Sequence, residues 1–203
     1  MFQSGTQDGF ELTPLPATRL EADAIMTLVP SGTGRLYTGP QATRDSAMSA
    51  ELKDYRIIHF ATHGFADDKN PKMSYIALST ADAQGRPRNG RLRLLDIYNL
   101  NFSAETVVLS ACSTALGENV RGEGLVGMVR GFMYAGAARV VASLWRVDDQ
   151  STAELMKRFY RGMLKDGLSP AAALRAAQIE MWKHDKYSPP YYWAAFVLQG
   201  EYR

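Results

Sequence analysis

Cysteine is nearly absent from this sequence, because its 203 residues include only one, Cys112. A single cysteine excludes a disulfide within the chain and leaves a free thiol, which is typical of proteins from a reducing compartment. We therefore expect a cytoplasmic location. The three histidines are scattered along the chain, so the sequence offers no ligand spacing that would favour a metal site.

Long apolar runs and dense blocks of charge are missing as well. No run of about eighteen apolar residues occurs, and the first residues have neither a basic nor an apolar segment, so we expect no membrane span and no export. A net charge of +2 without a Lys/Arg cluster argues against direct binding of nucleic acid. No repeat of about 20 to 50 residues is visible, which argues against a solenoid.

The remaining composition is that of a folded globular protein, with 46% hydrophobic and 22% charged residues. The length of the chain suits one domain with its own core. We expect residues 1–14 to be a polar N-terminal arm or the edge of a larger parent protein. Residues 15–203 are then expected to form the domain.

Apolar and turn-forming residues alternate in a way that predicts helices and strands in turn. Thr18-Arg19-Leu20-Glu21 has the form of a capping box, which predicts a first helix that runs to about Val29. A second helix is predicted from about Gln41 to Leu52, ahead of a strand over 56–62. The other predicted elements are a turn-rich connection over 65–89 with a short strand at 75–78, a brief helix at 93–99, a strand over 106–112, a buried helix at 125–134 ended by Gly136, a strand over 139–145, helices capped by Asp149 and Ser169, and a final strand over 191–198.

Two of these predicted strands end in groups that can react. Cys112 closes the run over 106–112, and His63 directly follows the run over 56–62. In a parallel sheet reacting groups collect outside the carboxyl ends of the strands, so this thiol and imidazole can meet although about fifty residues separate them. A cysteine at a strand end is, by itself, more often a packed apolar residue. The presence of His63 favours a cysteine nucleophile with its base.

Gly64 and Asp148 are candidates for supporting roles. Gly64 has no Cβ, so its N–H can approach an acyl carbon, and together with the N–H of Cys112 it could form an oxyanion hole. The same glycine also permits a tight turn. Asp148 lies just past the strand over 139–145, where it either presents a carboxylate to a basic substrate side chain or has a purely structural role.

Three other features receive structural interpretations. His59 lies in the middle of a strand and is expected to be hydrogen-bonded, whereas His184 lies among charged residues and is expected to be solvated. Residues 122–127 match the pattern Gly-x-Gly-x-x-Gly, but about ten residues separate them from the strand that a dinucleotide-binding motif should follow directly. We expect these glycines to let a helix pack tightly against the sheet.

Six segments in order resemble the CHAT domain, a caspase-like domain of bacteria that is often joined to tetratricopeptide repeats and is similar to separase. The resemblance extends from about Leu15 to Gly200. The segments that carry it are His59–Gly64, Val108–Thr114, Gly122–Gly127, Ala135–Ala137, Val141–Trp145 and Tyr192–Phe196.

This resemblance implies a caspase-like three-layer α/β/α sandwich with a mostly parallel central sheet, as in the peptidases of clan CD. It implies a cysteine endopeptidase without a cofactor, acting on a protein substrate through His63 and Cys112. In separase a Leu-Trp-x-Val-x-Asp segment carries an acidic specificity residue, and the resemblance transfers to Asp148 a preference for Arg or Lys before the scissile bond.

The same resemblance leaves a second interpretation open. The chain could be a non-catalytic, caspase-like interaction module whose histidine and cysteine come together only with a partner. A tetratricopeptide-repeat region or another regulatory protein is the partner that the resemblance implies, and neither nucleic acid nor a membrane is expected.

Overall fold

The computed structural model describes residues 6–7, 10–11, 15–67, 69–110, 123–183 and 186–202. Cys112, Gly122 and His184 therefore lie outside the described residues. The strands are β1 (Thr6–Gln7), β2 (Phe10–Glu11), β3 (Ile57–Phe60), β4 (Gly64–Phe65), β5 (Tyr75–Ala77), β6 (Arg91–Arg93), β7 (Thr106–Leu109), β8 (Arg139–Ser143) and β9 (Phe196–Gly200). The helices are α1 (Pro16–Met26), α2 (Arg44–Ala47), α3 (Leu94–Tyr98), α4 (Glu123–Tyr134), α5 (Asp149–Leu164) and α6 (Pro170–Trp182), with short 3₁₀ helices at Gly39–Gln41, Ala50–Asp54, Pro71–Met73 and Pro190–Tyr192.

A four-stranded sheet in the order β3-β7-β8-β9 forms the centre of the fold. The first three strands are parallel, and β9 runs antiparallel to β8. Every residue of β7 and β8 is buried, as expected for apolar strands that are covered on both faces. The predicted mostly parallel central sheet is confirmed.

Helices cover both faces of this sheet, which gives the predicted three layers. Successive residues of a strand point to opposite faces, so Val107 and Leu109 pack into one core while Val108 packs into the other. Phe132 of α4 belongs to the first core and Phe159 of α5 to the second. None of the helices in the described part of the chain is long and apolar enough to cross a membrane.

A smaller antiparallel sheet, β4-β5-β6, follows β3 in the chain. Its core is a stacked ring pair, Phe65 and Tyr75, whose centroids are 4.6 Å apart. The Arg91 guanidinium lies over the Tyr75 ring at 5.3 Å from its centroid, which adds a cation–π contact. The predicted short strand at 75–78 and brief helix at 93–99 are confirmed, whereas β4 and β6 are too short to give a sequence pattern.

The start of α1 differs from the prediction. The helix begins at Pro16, and the Thr18 hydroxyl donates to the Leu15 carbonyl at 2.6 Å instead of capping the helix. Proline suits the first helical position because it has no N–H and its φ is already helical, so the helix begins earlier than a Thr18 cap allows. The capping-box prediction is wrong, and Glu21 is a buried residue on the inner face of α1.

The second predicted helix, from Gln41 to Leu52, is also wrong, because the chain forms three short helices there. The Thr43 hydroxyl accepts from the Ser46 N–H at 3.1 Å, and the Ser49 hydroxyl accepts from the Glu51 N–H at 3.3 Å. Each hydroxyl caps the N-terminus of a new short helix, so the preceding helix does not continue through it. At the other end of the chain, the final strand begins at Phe196 because the predicted residues before it form a 3₁₀ helix and a turn.

Three polar side chains meet in the core between α1, β3 and α5. His59 Nε2 lies 2.8 Å from Glu21 Oε1, and His59 Nδ1 lies 2.9 Å from the Tyr160 hydroxyl. Glu21 is only 1% exposed, and its contact with His59 is close but poorly aligned for a hydrogen bond, so we regard it as an electrostatic pair. Burial raises the pKa of Tyr160 well above its ordinary value, and the nearby Glu21 adds to this shift. The structural role expected for His59 is confirmed.

Replacing His59 with leucine should lower the free energy of unfolding by about 3–5 kcal/mol, because the Glu21 carboxylate would stay buried without its partner. Urea denaturation followed by circular dichroism measures this loss. The exposed pair Arg56–Glu105 gives a matched control, since Arg56→Leu should cost about 1 kcal/mol or less. Replacing Glu21 and His59 together with leucine should recover part of the loss. A His59→Leu protein as stable as the original would contradict this role of the pair.

Candidate active site

His63 lies three residues beyond the end of β3 and is held there by hydrogen bonds to β5. The Thr62 hydroxyl donates to the Ala77 carbonyl at 2.6 Å, and the Ala77 N–H donates to the His63 carbonyl at 2.8 Å. The side chain of His63 is half-buried. The backbone that carries the imidazole is therefore fixed between the central sheet and the small one.

Gly64 follows directly and pairs with Ile76 in the antiparallel ladder of β4 and β5. The Ala77 N–H donates to the His63 carbonyl, so Ala77 and His63 form a hydrogen-bonded pair of the antiparallel ladder. The two kinds of pair alternate, so the next pair, Gly64 with Ile76, is a non-hydrogen-bonded pair. In such a pair the backbone N–H is directed away from the partner strand. The Gly64 N–H thus points away from β5.

The strand that leads toward Cys112 is the direct neighbour of the strand that leads to His63. β3 and β7 are parallel, and Phe60 lies opposite Leu109. His63 is three residues beyond Phe60, and in the sequence Cys112 is three residues beyond Leu109. Cys112 lies outside the described residues, so the pairing of its thiol with His63 and its part in an oxyanion hole stay predictions.

Asp148, and not Asp149, caps the start of α5. The Asp148 carboxylate accepts the Ser151 N–H at 2.9 Å and is the N-cap, whereas Asp149 is the first residue of the helix. The prediction that Asp149 caps this helix is wrong. Asp148 is exposed and has one carboxylate oxygen in the cap, and its predicted part in substrate specificity stays a prediction.

Asp149 is instead a half-buried carboxylate that contacts the start of α1. Its Oδ2 accepts the Ala17 N–H at 2.8 Å. Burial raises the pKa of Asp149; the Ala17 N–H opposes this shift, the carboxylates of Glu21 and Asp148 add to it, and His63 opposes it. Asp149 therefore lies within electrostatic range of His63. Although several carboxylates gather here, the described residues contain no group of three or more His, Cys, Asp or Glu that could hold a metal ion.

Asp149 also lines a groove of about 450 Å³ between α1 and α5. Sequence reasoning missed this residue, although a signal was present: in Leu144–Asp149, the last position of the pattern Leu-Trp-x-Val-x-Asp is Asp149, one residue beyond Asp148. The groove combines apolar and charged side chains. Its lining consists of Pro16, Ala17, Leu20, Ala24, Asp149, Gln150, Ala153, Glu154 and Lys157.

The glycines of α4 allow close packing beside the segment that carries His63. A Cβ built on Gly124 would lie 2.9 Å from the Ala66 Cβ and 2.9 Å from the Asp67 backbone nitrogen. A Cβ on Gly131 would lie 2.7 Å from a methyl carbon of Leu94 in α3. Of the glycines in the predicted motif, Gly124 packs tightly, but against the chain after β4 rather than against the central sheet; Gly131 lies outside that motif and packs on α3.

Comparison with known proteins gives one family and two relatives. The model of a family described as the CHAT domain matches residues 2–201, which include most of the segment expected to be an arm. Tetratricopeptide repeat protein 28 of Mus musculus is 28% identical over 232 residues, and that of Homo sapiens is 28% identical over 226 residues. Each alignment covers 97% of this chain, which spans 9% of the relative's length.

Replacing Gly124 with alanine should lower the free energy of unfolding by about 1–3 kcal/mol, because the new methyl group would press against backbone that cannot move aside easily. Gly127→Ala is the matched control in the same helix, since a Cβ there meets only side chains of Leu94 and Pro71, at 3.6 and 3.7 Å. Alanine at that position should stabilise the helix by about 0.5–1 kcal/mol. Urea denaturation of both variants tests this difference, and equal stabilisation by both would contradict the close approach.

Proposed function

Because the chain belongs to the CHAT domain family, we propose that it is a cysteine endopeptidase with His63 and Cys112 as its catalytic pair. The observation that carries this proposal is the parallel, in-register pairing of β3 with β7. Equal numbers of residues lead from Phe60 to His63 and from Leu109 to Cys112. Chains that leave neighbouring parallel strands at the same level meet at one edge of the sheet.

The proposed reaction proceeds through a thioester. His63 accepts the proton of the Cys112 thiol, the sulfur attacks the peptide carbonyl carbon, and His63 passes that proton to the leaving amine as the C–N bond breaks. The N–H groups of Gly64 and Cys112 stabilise the negative charge on the carbonyl oxygen. The direction of the Gly64 N–H, away from β5, supports this role. Water then hydrolyses the thioester and restores the thiol.

A preference for Arg or Lys before the scissile bond rests on the neighbouring carboxylates of Asp148 and Asp149. Asp148, the residue predicted from the sequence, is exposed at the carboxyl edge of the sheet, whereas the separase-like pattern ends at Asp149. Three observations support Asp149 for the same role: its carboxylate is half-buried, it lines the groove between α1 and α5, and it interacts electrostatically with His63. A carboxylate at this edge attracts a cationic side chain and repels an acidic one.

The relatives support a wider setting for the domain. They are named for tetratricopeptide repeats, and this chain spans only 9% of their length. The domain therefore acts beside a tetratricopeptide-repeat region or under a regulatory partner, on a protein substrate. A single free cysteine supports a cytoplasmic location.

Cys112→Ala should abolish cleavage of a peptide library by the 203-residue chain, and His63→Ala should slow it by about 10²–10⁴-fold, because each removes one half of the pair. Cleavage sites are identified by mass spectrometry. Iodoacetamide at low concentration gives a second measurement, since a thiol beside His63 should react faster than a free model thiol. Alkylation at the rate of the model thiol, unchanged in His63→Ala, would instead support a non-catalytic module.

Asp148→Asn and Asp149→Asn should show which of the two carboxylates sets the preference for a basic residue before the scissile bond. Asparagine keeps the helix cap at position 148 and can still accept the Ala17 N–H at position 149, so each variant removes charge with little change in structure. We expect kcat/KM for a substrate with Arg before the scissile bond, relative to Gln, to fall about tenfold or more in at least one variant. The larger loss is expected in Asp149→Asn. An unchanged Arg/Gln ratio in both variants would contradict a basic preference set here.

A further inference from the structure

Five exposed apolar side chains lie on the outer surface formed by the 3₁₀ helix Pro71–Met73, α3 and α4. We call this surface the α3/α4 face. Its members are exposed by 37% at Met133 to 76% at Tyr134, although large apolar side chains are normally buried. The face consists of Met73, Leu95, Tyr98, Met133 and Tyr134.

The three elements that carry these side chains pack on one another. The rings of Tyr98 and Tyr134 meet edge to face, with centroids 5.4 Å apart. Leu95 precedes Tyr98 by three residues, so both lie on the outer side of α3. The helix Pro71–Met73 packs against both α3 and α4. Exposed apolar surface of this kind marks an interaction site when it is contiguous.

The α3/α4 face has a basic rim. Lys72 and Arg130 are exposed on these elements, and Arg93, which directly precedes α3, is exposed as well. The carboxylate of Asp96 is already bound by Arg44, whose Nη2 and Nε lie 2.7 and 3.1 Å from its two oxygens. The other acidic residue of these elements, Glu123, is at the opposite end of α4 from Tyr134. Asp96 also accepts the Arg93 N–H at 2.9 Å, so among the described residues around Tyr98 and Tyr134 one carboxylate faces the cations of Arg44, Lys72, Arg93 and Arg130, and positive charge is in excess.

We propose that the α3/α4 face binds an amphipathic helix of a partner protein that carries acidic residues beside its apolar stripe. An apolar face with basic edges complements an apolar stripe flanked by carboxylates. The exposed side chains of Leu95, Tyr98, Met133 and Tyr134 lie on two helices, α3 and α4, so this part of the face offers no strand edge to an extended peptide. A second copy of this chain would bring two basic rims together, which costs energy. This proposal concerns a different surface from the one that carries His63.

The probe is a fluorescein-labelled synthetic helix of about 18 residues, with leucines spaced to form one stripe and glutamates beside it. A matched peptide carries lysine in place of every glutamate. Fluorescence anisotropy measures the binding of both peptides to the full chain at about 0.05 and 0.5 M salt, where screening differs strongly. The protein variants are Arg130→Glu, Tyr134→Ser and, as a control on another exposed aromatic residue, Trp182→Ser, which is 60% exposed on α6.

We expect the acidic peptide to bind, the lysine peptide to fail, and high salt to weaken binding. Arg130→Glu and Tyr134→Ser should each weaken it about tenfold, and Trp182→Ser should leave it unchanged. Circular dichroism verifies that each variant is folded. The proposal is overturned if the acidic peptide does not bind, if both peptides bind equally, or if Arg130→Glu and Tyr134→Ser bind the acidic peptide like the original protein. Self-association of the chain that Tyr134→Ser abolishes, measured by sedimentation velocity, would assign the face to a second copy and overturn it too.

Discussion

The parallel ladder between β3 and β7 is the constraint on which the rest of the site depends. It fixes Phe60 opposite Leu109, and the burial of both faces prevents a slip, because a shift by one residue would turn every side chain to the wrong layer. The two strands therefore end at one level. The roles proposed for His63, Asp148 and Asp149 at the carboxyl edge all depend on these two strands ending at the same level.

A second set of contacts ties the outer helices to the strand that delivers His63. Glu21 of α1 and Tyr160 of α5 both contact His59, four residues before His63. Asp149 of α5 accepts the N–H of Ala17 in α1. These contacts connect two helices and one strand by polar groups inside an apolar layer, where such groups specify position more sharply than apolar packing does.

The sequence predicts the layers well and the polar interior poorly. Apolar runs mark β3, β7 and β8 because burial on both faces requires such runs, and strand ends then locate His63. Glu21 and Asp149 escape prediction since acidic residues near helix starts commonly act as caps or remain solvated. Local pattern cannot reveal that Leu20 is 68% exposed while the adjacent Glu21 is 1% exposed. Glu21 is buried beside the exposed Leu20 because it contacts His59, which is distant in the sequence.

The reversed direction of β9 determines where the two ends of that strand emerge. Its first residue, Phe196, pairs with Ser143 at the carboxyl edge of β8, and its last, Gly200, pairs with Arg139 at the amino edge. Five residues of extended chain span roughly 16 Å. A fluorophore attached to the side chain of Glu201, just after Gly200, would thus lie at the rim of the sheet remote from His63 and would leave the rim where peptides are expected to bind unobstructed.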